Sequence, residues 1–164
     1  AVTTLKRGGH MHLRRYKSAD CKEILALFYD TVHRVNAKDY TKEQLDAWAT
    51  GGESESEWDR SFCSHYTVVA VCDKSEKIMG FGDIDGGYLD RLYVGSEFQG
   101  MHVGTAICDE LEKHAISNGE LTVTTHASIT ARGFFEKRGY AVTKERQVVR
   151  RGVTLTNYEA VKKL

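Results

Sequence analysis

The sequence predicts an α/β (α+β) fold in which helices cover a mixed β-sheet, and three observations carry that expectation. Residues 66–72, 77–85 and 88–94 are apolar, strand-like runs joined by short turns, the pattern of an antiparallel meander. Apolar stripes at helical spacing stand before and after this meander in the chain. Two further strand-like runs, 140–149 and 153–161, meet at Arg151-Gly152. The resulting order is βααβββαβαββ, with neither an internal repeat nor a domain boundary.

Each element has a local reason. His12 to Tyr16 is a short strand candidate. Ile24, Leu27, Phe28, Thr31, Val32 and Val35 form a helix-period stripe over residues 20–35. Thr41-Lys42-Glu43-Gln44 reads as a capping box, so a helix carrying Leu45 and Trp48 starts there and ends near Gly51-Gly52. Residues 53–64 are polar apart from Trp58, Phe62 and Cys63, which predicts a loop with a short helix. Beyond the meander, Gly95 to His102 is a polar loop. Val103, Ile107, Leu111 and Ala115 then mark a helix that Asn118-Gly119 terminates. Leu121 to Thr125 is a strand, and Ser128 is placed to N-cap a helix running to Arg138.

Composition narrows the function classes. The chain has 164 residues, one domain's worth, assigned to residues 11–164. Ala1 to His10 reads as an expression-tag remnant and is set aside from the fold. Basic and acidic residues number 23 each, so the formal net charge is zero, which argues against nucleic acid or an anionic membrane as partner. No apolar run approaches the ~20 residues of a membrane span, and a cytoplasmic protein is expected. Cys21, Cys63, Cys72 and Cys108 lack metal-ligand spacing and read as reduced, mostly buried apolar residues, so no metal is expected.

The chemically informative stretch runs from Leu89 to Gly104. A strand, Leu89-Asp90-Arg91-Leu92-Tyr93-Val94, enters a loop that ends in Gln99-Gly100-Met101-His102-Val103-Gly104 and opens a helix. Unpaired N–H groups at such a helix start form an anion site suited to a pyrophosphate. The glycines match neither a Walker loop nor the dinucleotide fingerprint.

In context, this stretch resembles the GNAT superfamily of acyl-coenzyme A-dependent N-acetyltransferases, over most of residues 11–164. Gln99 and Gly104 match the Q/R-x-x-G-x-G/A signature, with His102 where its first glycine usually stands. Ala131, Phe134, Glu136, Lys137, Gly139 and, conservatively, Tyr140 match A-x-x-F-Y-E-K-x-G-F. Tyr40-Thr41, Gln44-Leu45 and Trp48 are similar to a subgroup of small bacterial members. The resemblance implies a twisted, mostly antiparallel sheet and acetyl-coenzyme A as cosubstrate. The strand of Leu92, Tyr93 and Val94 would splay from its neighbour, with the pantetheine arm lying in the gap. Backbone groups of Leu92 and Val94 would bond the arm, and the Val94 N–H would polarise the thioester carbonyl. N–H groups of Gly100, Met101, His102, Val103, Gly104 and Thr105 would hold the pyrophosphate. Ser128 would bond the arm and Phe134 would pack against the coenzyme.

Amine acetylation needs a neutral amine, hence a base, and an acid helps the thiolate leave. The tyrosine that relatives often use as acid is replaced here by Phe135. Asp90 is a candidate base or ammonium anchor and His126 a second base, while Tyr158 and Tyr140 are candidate acids. The charge runs at 136–138 and 144–146 read as solvated faces. The expectation is direct transfer of an acetyl group to a primary amine of a small molecule or peptide, by a monomer or homodimer. The alternative is an acyl-coenzyme A-sensing module with little or no turnover.

Overall fold

The computed structural model describes Thr3–Thr4 and Met11–Leu164. Its strands are β1 (Thr3–Thr4), β2 (Met11–Arg15), β3 (Tyr66–Cys72), β4 (Ile78–Asp85), β5 (Tyr88–Val94), β6 (Thr122–Ser128), β7 (Ala141–Arg150) and β8 (Val153–Lys163). Its helices are α1 (Cys21–Arg34), α2 (Lys42–Trp48), α3 (Glu55–Ser64), α4 (Val103–Ser117) and α5 (Arg132–Lys137). The strands form one sheet in the order β1-β2-β3-β4-β5-β6-β8-β7. Every neighbouring pair is antiparallel except β5 and β6. The expected mixed, mostly antiparallel sheet is therefore present. Thr3–Thr4 falls inside the segment read as a tag remnant, yet it pairs with β2. The rest of that reading, at residues 1–2 and 5–10, lies outside the described residues.

Local chemistry explains most boundaries. The capping box forms: the Gln44 N–H donates to Thr41 Oγ1 at 3.2 Å, and the Thr41 N–H donates to Gln44 Oε1 at 2.9 Å. Two expectations are adjusted. The short helix expected within residues 53–64 takes up nearly all of that stretch: Glu55–Ser64 is a ten-residue helix capped by the Ser54 hydroxyl, and little of it is loop. Trp58 and Phe62 stand four apart, so both reach the core from one face of that helix. Ser128 ends β6 instead of capping a helix. Its hydroxyl accepts from the Ala131 N–H at 3.0 Å, which delays α5 to Arg132.

The sheet is covered on both faces. Val68 and Ala70 of β3 pack towards α4 and α5, while Val69 and Val71 pack towards α1, α2 and α3, the two-residue alternation of a strand buried on both sides. Glycine lets α4 lie close to β4. A Cβ at Gly80 would stand 3.0 Å from Val103 Cγ1, and one at Gly82 would stand 2.8 Å from Ile107 Cγ2.

The run at 136–138 is not simply solvated. Arg138 lies against α4, where its guanidinium donates to Glu112 and Asp109 at 2.9 Å each. Lys162 and the Tyr140 hydroxyl also donate to Glu112, the latter at 3.0 Å, so Tyr140 is committed to this network and unavailable as an acid. All four cysteines are free; Cys21 and Cys108 are buried, whereas Cys63 is exposed and Cys72 half-buried. Among the described residues, no helix is long and apolar enough to cross a membrane.

Candidate active site

Strands β5 and β6 run side by side for only two residue pairs, Tyr88 with Thr124 and Leu89 with Thr125, and then part. The ladder on the other edge of β5 decides which groups face the opening. The Gly95 N–H donates to the Met79 carbonyl at 2.8 Å. Alternation then directs the Tyr93 backbone to β4 and the backbone groups of Leu92 and Val94 into the opening. A β-bulge sits beside them. The β4–β5 register passes from Asp83–Arg91 to Ile84–Leu89 and leaves Asp90 without a partner.

Two cavities meet at this opening. One, of about 350 Å³, is lined by Leu92, Tyr93, Val94, Gln99, Gly100, His102, Val103, Gly104, Thr105, Ser128 and Phe134. The other, of about 530 Å³, lies between β5, the aromatic side chains of α1–α3 and the β7–β8 hairpin. Trp48, Asp90, Arg91, Tyr93, His126 and Ser128 line both. The cavities share one wall.

The first cavity ends at the start of α4. Gly100 has φ +73° and His102, the residue before the helix, has φ +63° and ψ +20°. The left-handed turn is thus made by a histidine, a residue that tolerates it better than a β-branched one. Ala106 is the first residue of α4 whose N–H meets a helical acceptor, the His102 carbonyl at 3.1 Å. The N–H groups of Val103, Gly104 and Thr105 precede it and are free for an anion. A Cβ on Gly104 would touch Phe134 at 3.4 Å, so glycine keeps the space beside that ring open. The Gln99 side-chain amide donates to the Val94 carbonyl at 2.8 Å. The Thr31 hydroxyl, from α1, donates to the same oxygen at 3.1 Å. Met101 does not line the cavity and its side chain is exposed.

Around the shared wall the polar groups are tightly arranged. Asp83 is fully buried and receives two bonds from Arg91, at 2.7 and 3.2 Å. His65 Nδ1 lies 2.8 Å from Asp83 Oδ2 and 3.9 Å from Asp90 Oδ2. Donor atoms of His65, Asp83 and Asp90 lie within 4.8 Å of one another. Arg91 already supplies the positive charge there, so this trio does not suit a divalent cation. Burial, and then the neighbouring Asp83 carboxylate, raise the Asp90 carboxyl above the ordinary range despite the opposing pull of Arg91 and His65.

His126 Nδ1 lies 3.1 Å from the Tyr88 hydroxyl, and its Nε2 lies 3.9 Å from Glu159. Burial, and then the nearby Arg146, push the imidazole below its ordinary value and favour the neutral ring. Tyr158 is not brought to this place. It pairs with Ala127 in the ladder, lines neither cavity, and its ring faces the Arg132 guanidinium at 4.5 Å. Phe135 is buried between Phe134 and Tyr140. Sequence reasoning had no signal for His65 or Thr31, which reach the site from other elements.

Comparison with known proteins agrees with this geometry. Residues 36–162 match the family described as "Acetyltransferase (GNAT) domain". The chain is 32% identical over 149 residues to the uncharacterized N-acetyltransferase YafP of Escherichia coli K12, covering 91% of this chain and 93% of that protein. A GCN5-related N-acetyltransferase structure from Rhodopseudomonas palustris superposes with a TM-score of 0.88 at 33% identity, covering 93% of this chain and 94% of that one. A PaiA N-acetyltransferase from Thermoplasma acidophilum, solved in complex with coenzyme A, shares the fold. Its TM-score is 0.77 at 17% identity, covering 94% of this chain and 99% of that chain.

Proposed function

The chain belongs to the GNAT acetyltransferase family, and from that premise we propose that it transfers an acetyl group from acetyl-coenzyme A to a primary amine by direct attack. The observation that carries the reading is the shared wall. Asp90 and His126 are the proton-accepting side chains that line both cavities, so a thioester entering from one side and an amine from the other meet beside them.

The first cavity fits the coenzyme. Free N–H groups of Val103, Gly104 and Thr105 suit its pyrophosphate, and the Leu92 and Val94 backbone suits the arm, with Ser128 and Phe134 alongside. The Val94 N–H, which faces the opening and not β4, suits the donor role of polarising a thioester carbonyl. Asp90 anchors the ammonium form of the acceptor and takes its proton. The amine nitrogen then bonds to the acyl carbon, and the carbon–sulfur bond breaks with its electron pair leaving on sulfur as the coenzyme thiolate. The nitrogen's second proton passes to neutral His126, from which the thiolate can take it to leave as the thiol. Four free cysteines suit a reducing compartment such as the cytoplasm.

Calorimetry with acetyl-coenzyme A, paired with thiol release over a panel of amines, tests the proposal. Binding at micromolar concentration with amine-dependent release is expected. Binding without release from any amine would favour a sensing module, and no binding at millimolar concentration would defeat both.

A further inference from the structure

The second cavity carries a charge pattern that the proposed reaction does not require. The charge run at 144–146 is not simply solvated: Arg146 lines the cavity, and so does Arg150 further along β7, on the same face of the strand as Val148. Arg151, in the β7–β8 turn, lines it too. None of the three forms an ion pair with a carboxylate among the described residues. Arg146 donates only to the Asn157 side-chain oxygen at 3.3 Å, and Arg151 donates to the Ala47 carbonyl at 2.7 Å. Arg91, the other arginine of the cavity, is shared by two carboxylates, Asp83 at 2.7 Å and Asp90 at 3.6 Å, so the Arg91–Asp83–Asp90 group keeps one negative charge in excess when both are ionised.

The acidic groups are distributed differently. The cavity contains two carboxylates, Asp90 and Glu53. Glu53 is turned to the Thr50 and Gly51 N–H groups, at 2.8 and 3.1 Å. That leaves Asp90 at the shared wall and uncompensated arginines on β7, three strand positions further along the sheet. Their positive field acts on the neighbouring groups of the cavity: after burial, Arg146 helps hold His126 neutral, and Arg146 and Arg150 both favour the ionised form of Tyr88 against its burial. The same cavity is also lined by the aromatic side chains of Phe28, Trp48, Trp58 and Tyr93.

We infer that the acceptor is an amine that also carries an anionic group, a carboxylate or a phosphate. The amine lies at Asp90 and the anion against Arg146 and Arg150. A polyamine is disfavoured, because its second ammonium would face the arginines. A bare alkylamine leaves them unanswered. This rests on the acetyl-transfer reading above, but its test can be separated from that reading.

The chain has two tryptophans, Trp48 and Trp58, and both line this cavity, so intrinsic fluorescence reports its occupancy directly. Coenzyme-loaded protein is titrated with matched probes: phenylalanine against 2-phenylethylamine, 4-aminobutyrate against butylamine, 2-aminoethyl phosphate against ethanolamine, and spermidine. In at least one pair the anionic member should bind about tenfold or more tightly than its neutral partner, a ratio in keeping with one or two charge-assisted contacts. Arg146→Gln and Arg150→Gln, at solvent-accessible strand positions, should each move that ratio towards one. Equal or weaker binding of the anionic members in all three pairs, or tightest binding of spermidine, overturns the inference whatever the turnover. Thiol release measured on the same probes reports separately on acetyl transfer. Selective binding without release would leave the acceptor cavity assigned and the reaction refuted.

Discussion

Arg91 holds the buried carboxylate of Asp83 by two hydrogen bonds, Nη2 to Oδ2 at 2.7 Å and Nε to Oδ1 at 3.2 Å, one residue along β5 from Asp90. Removing one partner strands a charge in the sheet. Arg91→Met should therefore cost about 3–5 kcal/mol in denaturant unfolding, whereas pairing it with Asp83→Leu should recover much of the loss. If the single variant unfolds at the wild-type midpoint, the pair is not a structural element of the sheet.

Asp90→Asn should separate chemistry from coenzyme binding. Acetyl-coenzyme A affinity, read by calorimetry, should change little, while kcat/KM falls about 100-fold or more, the scale of acid–base assistance. Equal losses in both would remove the role assigned to Asp90.

The same group predicts two pH effects. Its carboxyl is raised in the folded protein, first by burial and then by Asp83. Activity should therefore fall with an acidic limb above the ordinary carboxylate range, and that limb should be absent from any residual Asp90→Asn activity. Because the folded state binds this proton more tightly than the unfolded chain, ionised Asp90 costs stability at neutral pH and ceases to do so in acid. The Asn variant should melt no lower than wild type at pH 7.

Glu112 has the opposite sign. Burial alone would raise its carboxyl, but hydrogen bonds from Lys162 and Arg138 outweigh burial and hold it below the ordinary value. Its contribution is complete above the unfolded carboxyl value, about 4.3, and disappears as pH falls through the lower folded one. Glu112→Gln should lose about 3 kcal/mol at pH 7, and its stability should converge on wild type in acid, followed by urea unfolding across pH.

His102 keeps a positive φ that glycine would adopt freely. His102→Val should lose about 1–3 kcal/mol of stability and weaken coenzyme binding, because a β-branched residue resists that conformation. His102→Gly should retain binding. Similar melting and binding of the two variants would show that the turn before α4 does not depend on this backbone angle.

Much of this could be read from the chain because local chemistry decided it. The Thr41–Gln44 box starts α2 through bonds between residues three apart, and the meander at 66–94 shows its strands as β-branched runs. The turn before α4 was legible from Gly100 and the loop around it. What escaped depended on partners distant in sequence. Arg138 and Arg146 sit in similar mixed charge runs, yet one is drawn down by Glu112 of α4 and the other faces a cavity closed by α1–α3. Tyr158 and His126 lie on neighbouring strands, and only the parity of the ladder puts the tyrosine on the wrong face. Gln99 is visible in the sequence only as a motif match; that its amide bonds a carbonyl five residues away is visible only in the fold.

The Val94 carbonyl, with donors from both α1 and the loop after β5, has one further implication. An oxygen satisfied before any ligand arrives does not have to exchange water for a new partner when the arm enters. The strand end is held in its working position by α1, an element that also walls the acceptor cavity through Phe28. A shift of that helix would be communicated to both sides of the opening at once. Coenzyme and acceptor would then be thermodynamically linked, each altering the other's dissociation constant by the same factor.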